Sequence, residues 1–198
     1  MLKGEGLSFR YGTRQPWLFR SLDLIIAPGE VVGLFGPSGR GKTTLAKVLA
    51  GYLRPTEGQV QVNSAPLPTT IYNPVQLMFQ HPELAVNPRW RIDRVLNEAY
   101  TPDAMALHAL QIDQSWLNRY PHELSGGELQ RIAVARALGP QTRYLIADEM
   151  TAMLDANTQA QIWHAVLDHA SRHALGVLMI SHDAPLTKRI CSRIVELP

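Results

Sequence analysis

The run Gly36-Pro37-Ser38-Gly39-Arg40-Gly41-Lys42-Thr43-Thr44 has the residue types and spacing of a phosphate cradle. Glycines let the backbone turn tightly and aim its N–H groups inward. Lys42 can neutralise β- and γ-phosphates, and the Thr43 hydroxyl can ligate Mg²⁺. The helix expected next adds a positive dipole end. A Gly-rich turn can match this pattern by chance. Here the apolar strand expected over Val31–Phe35 precedes it and helical spacing comes after it, which is the context the chemistry needs.

Further along, Tyr144-Leu145-Ile146-Ala147-Asp148-Glu149 places two carboxylates after four apolar residues. Two acids at a strand end are most often a solvated turn. Behind a phosphate loop they gain roles: Asp148 can hold Mg²⁺, directly or through water, and Glu149 can polarise an attacking water. Taken alone, Gln80 is an ordinary polar strand end, His182 a structural histidine and Tyr11 a surface aromatic. The run Leu124-Ser125-Gly126-Gly127-Glu128-Leu129-Gln130-Arg131 opens a helix, so the amides of Ser125, Gly126 and Gly127 offer a second anion site. One chain cannot fold that site onto its own phosphates if the helical region lies far from the loop. A second chain, packed head to tail, can.

The elements that position these residues alternate. Strands are expected at 7–10, 22–26, Val31–Phe35, 58–62, 75–79, 143–147, 177–180 and 193–197, and helices at 43–53, 127–138, 157–173 and 185–190. Residues 63–74 hold three prolines and read as a loop, and 91–117 turn helical and more polar. Alternating strands and helices imply an α/β fold with a mostly parallel sheet. The expected layout is a single domain over 1–198: a nucleotide-binding β and core part at 1–80, an inserted helical subdomain at 81–138, and the rest of the core at 139–198.

Composition is consistent with this. At 45% hydrophobic, the 198 residues can bury a sizeable core, and the net charge of +2 gives no argument for nucleic acid. The single cysteine, Cys191, excludes an intrachain disulfide and reads as a buried structural residue in a reducing compartment. No apolar run approaches the roughly 20 residues of a spanning helix, and the first residues lack the apolar core of a signal peptide. His164, His169 and His173 fall on one expected helix. His169 and His173, four apart, can chelate a metal, but the expectation is a solvated helix face.

In this order, the motifs resemble the nucleotide-binding subunit of an ABC transporter, and the match covers nearly the whole chain. The resemblance implies a P-loop NTPase (RecA-like) core, an N-terminal antiparallel β subdomain and an inserted helical subdomain. It also implies an ATPase with ATP and Mg²⁺ as cofactors. Tyr11 falls where the family stacks an aromatic on adenine. Gln80 falls at the loop that senses the γ-phosphate and Mg²⁺ and faces the membrane subunit. Ser125, Gly126 and Gly127 match the signature that caps the partner's ATP, and Asp155 matches the loop linking the two sites. His182 matches the switch histidine at the γ-phosphate. Catalytic roles thus fall on Glu149, His182, Lys42 and Gln80, and metal contacts on Thr43, Gln80 and Asp148.

Within the family, Gln80-His81-Pro82-Glu83-Leu84-Ala85-Val86-Asn87-Pro88-Arg89 resembles the same segment in peptide and nickel importers. The implied machine is a bacterial importer: a second ABC ATPase subunit, two membrane permeases and, indirectly, an extracytoplasmic substrate-binding protein. It would sit at the cytoplasmic face of the inner membrane. Peptide importers of this group usually carry a C-terminal extension, so an end at Pro198 favours the shorter nickel-type subunit. Met150 stands where the family usually has proline, and Ala152-Met153 where it has Ser-Ala. Three other readings compete: a soluble subunit of a phosphonate-degradation complex, a nucleic-acid or translation ATPase, and a regulatory subunit with a dead site. The nearly balanced charge and the absence of coiled coils or zinc modules oppose the second. The presence of Lys42, Asp148, Glu149 and His182 opposes the third.

Overall fold

The computed structural model describes residues 1–69 and 71–197; Thr70, inside the expected 63–74 loop, and Pro198 lie outside them. Two sheets form. Strand β1 (Leu2–Phe9) pairs antiparallel with β2 (Phe19–Ile26) and β4 (Glu57–Val62), and β5 (Ala65–Pro66) adds to β4, giving the order β2-β1-β4-β5. The second sheet has the order β6-β7-β8-β3-β9, from β3 (Val31–Phe35), β6 (Val75–Met78), β7 (Tyr144–Asp148), β8 (Gly176–Ile180) and β9 (Arg193–Glu196). Its recorded pairings are all parallel.

The parallel strands read as continuous apolar runs because both faces are covered. Tyr144 and Ile146 of β7, with Leu178 and Ile180 of β8, face a core shared with the antiparallel sheet. Helix α1 (Lys42–Leu49) is buried in that core through Leu45, Ala46, Val48 and Leu49. The alternate residues Leu145, Ala147, Val177 and Met179 face a second core. That core is built by α2 (Ile92–Leu96), α4 (Gly126–Ala137) and α5 (Ala156–His173). Helix α3 (Ala104–Ala109) caps its outer side, and α6 (Ala184–Ile190) leads into β9.

Some boundaries differ from expectation, each for a local reason. Strand β1 begins at Leu2 rather than 7, because Gly4, Glu5 and Gly6 interrupt the apolar alternation while irregularities between Gly4 and Leu7 absorb the mismatch. Helix α1 stops at Leu49, where Gly51 turns at φ +78° and both Tyr52 and Leu53 donate back to the Lys47 carbonyl. The 63–74 loop contains β5, made possible by a two-residue hairpin turn in which Asn63 and Ser64 both have positive φ. The helical stretch 91–117 breaks into α2, α3 and a short 3₁₀ turn rather than one long helix.

Gly58 joins β1 to β4 at close quarters. It sits at φ +85°, and a Cβ there would lie 2.3 Å from the Glu5 carbonyl oxygen and 2.5 Å from that of Gly6. Both obstacles are backbone, so no rotamer relieves them. Gly58→Ala should lower unfolding free energy by about 3 kcal/mol, measured by urea denaturation. A loss under about 1 kcal/mol would show that β4 shifts freely against β1.

Candidate active site

Strand β3 delivers the chain into the glycine loop, and Gly41, at φ +91°, sets the entry into α1. No acidic residue of α1 occupies its own first turn, so the helix does not itself offset the positive end that faces the cleft. Lys42 is buried, and its ammonium donates to the carbonyl oxygens of Gly36 at 2.7 Å and Pro37 at 3.0 Å. The same cleft, about 400 Å³, is lined by Tyr11, Ser38, Gly39, Thr43, Glu149 and His182 among others. Tyr11 is largely exposed, stands edge-on to Phe9, and shares a 2.9 Å hydrogen bond with the Thr44 hydroxyl. An exposed aromatic face tied to the first turn of α1 can stack on a flat ring.

Strand β7 carries the carboxylates to the same place. Asp148 is buried at its end, hydrogen-bonded to Thr43. Burial raises its pKa above the ordinary carboxylate value; the Thr43 bond opposes this, Glu149 adds to it, and Lys47 and Lys42 pull it back. Glu149 takes φ +51°, a left-handed conformation uncommon for a side chain of its size, and its amide donates to the Ile180 carbonyl. That turn aims its carboxylate at His182, whose Nε2 lies 2.8 Å from Oε1. Met150, in the proline position, is buried in the second core. Behind it, Trp163 and Gln159 both donate to the Thr151 hydroxyl at 3.1 Å.

The remaining expected residues gather elsewhere. Gln80, Ser125, Gly126, Gly127 and Asp155 line a separate cleft of about 590 Å³ between α4 and the start of α5. Ser125 and Glu128 form a reciprocal cap on α4: the Ser125 hydroxyl accepts from the Glu128 amide and Glu128 accepts from the Ser125 amide at 2.7 Å. Asp155 caps α5, accepting from the amides of Asn157 and Thr158. A side chain at Gly126 would meet nothing, so that turn lies open. Thus one chain presents a phosphate cradle in one cleft and, in another, a helix N-terminus whose Ser125 amide, expected to offer itself to an anion, is taken by Glu128.

Residues 19–152 match the ABC transporter family. The chain belongs to that family. It is 35% identical to a putative peptide import ATP-binding protein of Brucella ovis, over all of this chain and 69% of that protein. It is 31% identical to the nickel import system ATP-binding protein NikE of Staphylococcus aureus, over all of this chain and 86% of that one. A solved ATP-binding cassette, MJ0796, in a dimeric state bound to ADP and Pi, superposes with a TM-score of 0.82 at 24% identity, covering all of this chain and 94% of that one. The fold is that of an ABC ATPase: a P-loop core with a mostly parallel sheet, an antiparallel β layer and a helical insertion. The enzyme is an ABC-type ATPase, and no helix among its described residues is long and apolar enough to cross a membrane.

Two features of this ABC ATPase escape motif reading. Leu18 packs so close to Gly41 that a Cβ there would lie 2.6 Å from its Cγ, which makes it an apolar wall of the phosphate cleft. Arg131 is buried in α4 and donates to the Leu110 carbonyl and to Gln161 Oε1, tying the signature helix to α3 and α5. A loop leucine carries no signal in the sequence, and Arg131 reads there only as part of the signature.

The raised pKa of Asp148 has a consequence for stability. A carboxyl raised in the folded state opposes folding once pH exceeds its unfolded value, because the unfolded chain ionises first. Asp148→Asn should therefore raise the Tm of the nucleotide-free chain at pH 7, with the gain fading below about pH 4, while weakening Mg²⁺-dependent nucleotide binding. A lower Tm at pH 7 would mean that the Thr43 bond outweighs burial.

Proposed function

We propose that the chain is the ATP-hydrolysing subunit of a bacterial importer, working as one of two subunits closed by ATP. The observation that carries this is the division of labour between clefts: Lys42, Glu149 and His182 share one, and Ser125, Gly126 and Gly127 line another. Closing a second ABC subunit head to tail brings its signature onto this chain's phosphates, and the reverse. The MJ0796 cassette was solved as a dimer.

In the closed pair, Gly36, Pro37, Ser38, Gly39, Arg40, Gly41, Lys42, Thr43 and Thr44 hold the phosphates, and Tyr11 stacks on adenine. Lys42 exchanges its two carbonyl acceptors for β- and γ-phosphate oxygens. Asp148 and Thr43 offer hard oxygen donors close together and would hold Mg²⁺, which when bound would offset phosphate charge. Gln80 joins them as closure brings its loop toward the phosphates. Glu149 takes a proton from the attacking water, His182 holds that carboxylate in place, and ADP and phosphate result. Asp155 links the loop after Glu149 to the partner's signature.

The cargo is assigned more broadly: nickel, a metal–metallophore complex, or peptides. Support comes from the relatives named for peptide and nickel import and from the Gln80–Arg89 segment. Both names belong to import systems, which favours this machine over a soluble phosphonate-degradation complex. Two permeases, a substrate-binding protein and a place on the cytoplasmic face of the membrane belong to the same proposal.

Glu149→Gln should cut turnover by about 10²–10⁴-fold while ATP still binds, and should give an ATP-dependent dimer on size-exclusion chromatography. Adding Ser125→Arg should abolish that dimer. Glu149→Gln chain captured with ATP and Mg²⁺ from its host's membranes should bring two permeases with it. Soluble enzymes without permeases would overturn the importer, and unchanged turnover would remove Glu149 as base.

A further inference from the structure

Away from both clefts, a third one of about 270 Å³ opens between the start of α3, the turn after α4 and the end of α5. Its lining includes Tyr100, Asp103, Arg143, His169 and His173. Nucleotide binding and hydrolysis use none of these. A solvated helix face was expected at His169 and His173; His173 is exposed as expected, and the structure departs from the expectation at His169. His169 is half-buried against the cleft, and its ring lies 4.3 Å, centroid to centroid, from that of His173.

We propose that His169 and His173 form a binding site for a divalent transition-metal ion of the imidazole-preferring class, Ni²⁺ or Zn²⁺. Residues four apart on a helix share a face, and this is the spacing by which two helical histidines ligate one Zn²⁺ in His-Glu-x-x-His sites. Each imidazole binds at about 2.0–2.1 Å, so two ring nitrogens must approach to about 3 Å. The rings are paired at 4.3 Å and tilted by 32°, so binding requires both side chains to rotate until one nitrogen of each converges on the ion.

The cleft carries both signs of charge, Asp103 against Arg143 and Arg172. Asp103 lines the cleft with a charge that reaches His169. One of its carboxylate oxygens caps α3 by accepting from the Ala106 amide, which fixes the group in place. Arg172, which also lines the cleft, is paired with Asp168 and donates to Met105 Sδ, so Asp168 offsets part of its charge. Among the described residues no group of three or more His, Cys, Asp or Glu is arranged around one point, so water completes the ion's coordination. The site lies where α5 of the core meets α3 of the helical insertion, and it does not depend on which cargo the importer carries.

The test is calorimetric titration of the nucleotide-free chain with NiCl₂ and, separately, ZnCl₂ at pH 7.5, in a buffer that does not chelate. Wild type should take up one equivalent. His169→Ala and His173→Ala should each weaken binding by at least about tenfold, because either one removes the chelate. His164→Ala, exposed on another side of α5, should leave it unchanged. Circular dichroism and basal Mg²⁺-dependent ATPase of the two variants should match wild type, which separates ligand loss from unfolding. As a second readout, imidazole ¹⁵N signals of His169 and His173 should shift together on metal addition. No saturable uptake by wild type, or equal affinity in His173→Ala, overturns the site.

Discussion

A triphosphate brings several negative charges into a protein, and backbone amides hold them only if the loop bearing those amides cannot yield. The chain meets this constraint by clamping α1, which the loop joins to β3 of the parallel sheet, between the two sheets. Leu45, Val48 and Leu49 of α1 are buried against Leu2, Leu24 and Ile26 on one side and Ile146, Leu178 and Ile180 on the other. Apolar burial at about 25 cal/mol per Å² anchors the helix, and the helix in turn fixes the direction of its amides. The antiparallel sheet thus serves the site without touching phosphate, except through Tyr11 just beyond its first strand.

The parallel sheet performs the second task, which is to bring distant residues to one edge. Strands β3, β7 and β8 run side by side in the same direction. Their C-terminal ends therefore place the glycine loop, the Asp148–Glu149 pair and His182 next to each other. Ligands in open α/β sheets bind beyond the carboxyl ends of the strands for this reason. The left-handed turn at Glu149 adds the last adjustment, since an extended residue there would not direct its carboxylate at His182.

Much of this was legible in the sequence. The apolar runs of β3, β7 and β8, covered on both faces, announce the parallel sheet, and the Gly-Lys-Thr run announces a phosphate loop at the end of β3. The structure brings Tyr11, Lys42, Thr43, Glu149 and His182 into one cleft and keeps Gln80, Ser125 and Asp155 in another. The features that stayed hidden depend on packing or on backbone sign. Strand β1 was masked by its own glycines, and β5 by two positive-φ residues that no periodicity records. Leu18 acts through proximity to Gly41, Arg131 through carbonyls and amides far along the chain, and His169 through burial that a helical wheel cannot see. Cys191 is partly buried with its thiol pushed up to about 11, in keeping with an unreactive packing role.

The two hydrogen bonds from Lys42 to the Gly36 and Pro37 carbonyls have a kinetic meaning. A buried ammonium without partners costs several kcal/mol, so a cradle that emptied to leave one would resist giving up its phosphate. Here the loop supplies substitute acceptors from its own backbone. Nucleotide entry is then an exchange of oxygens around a fixed cation, and product departure is the same exchange in reverse. The binding loop carries its own means of resetting between cycles.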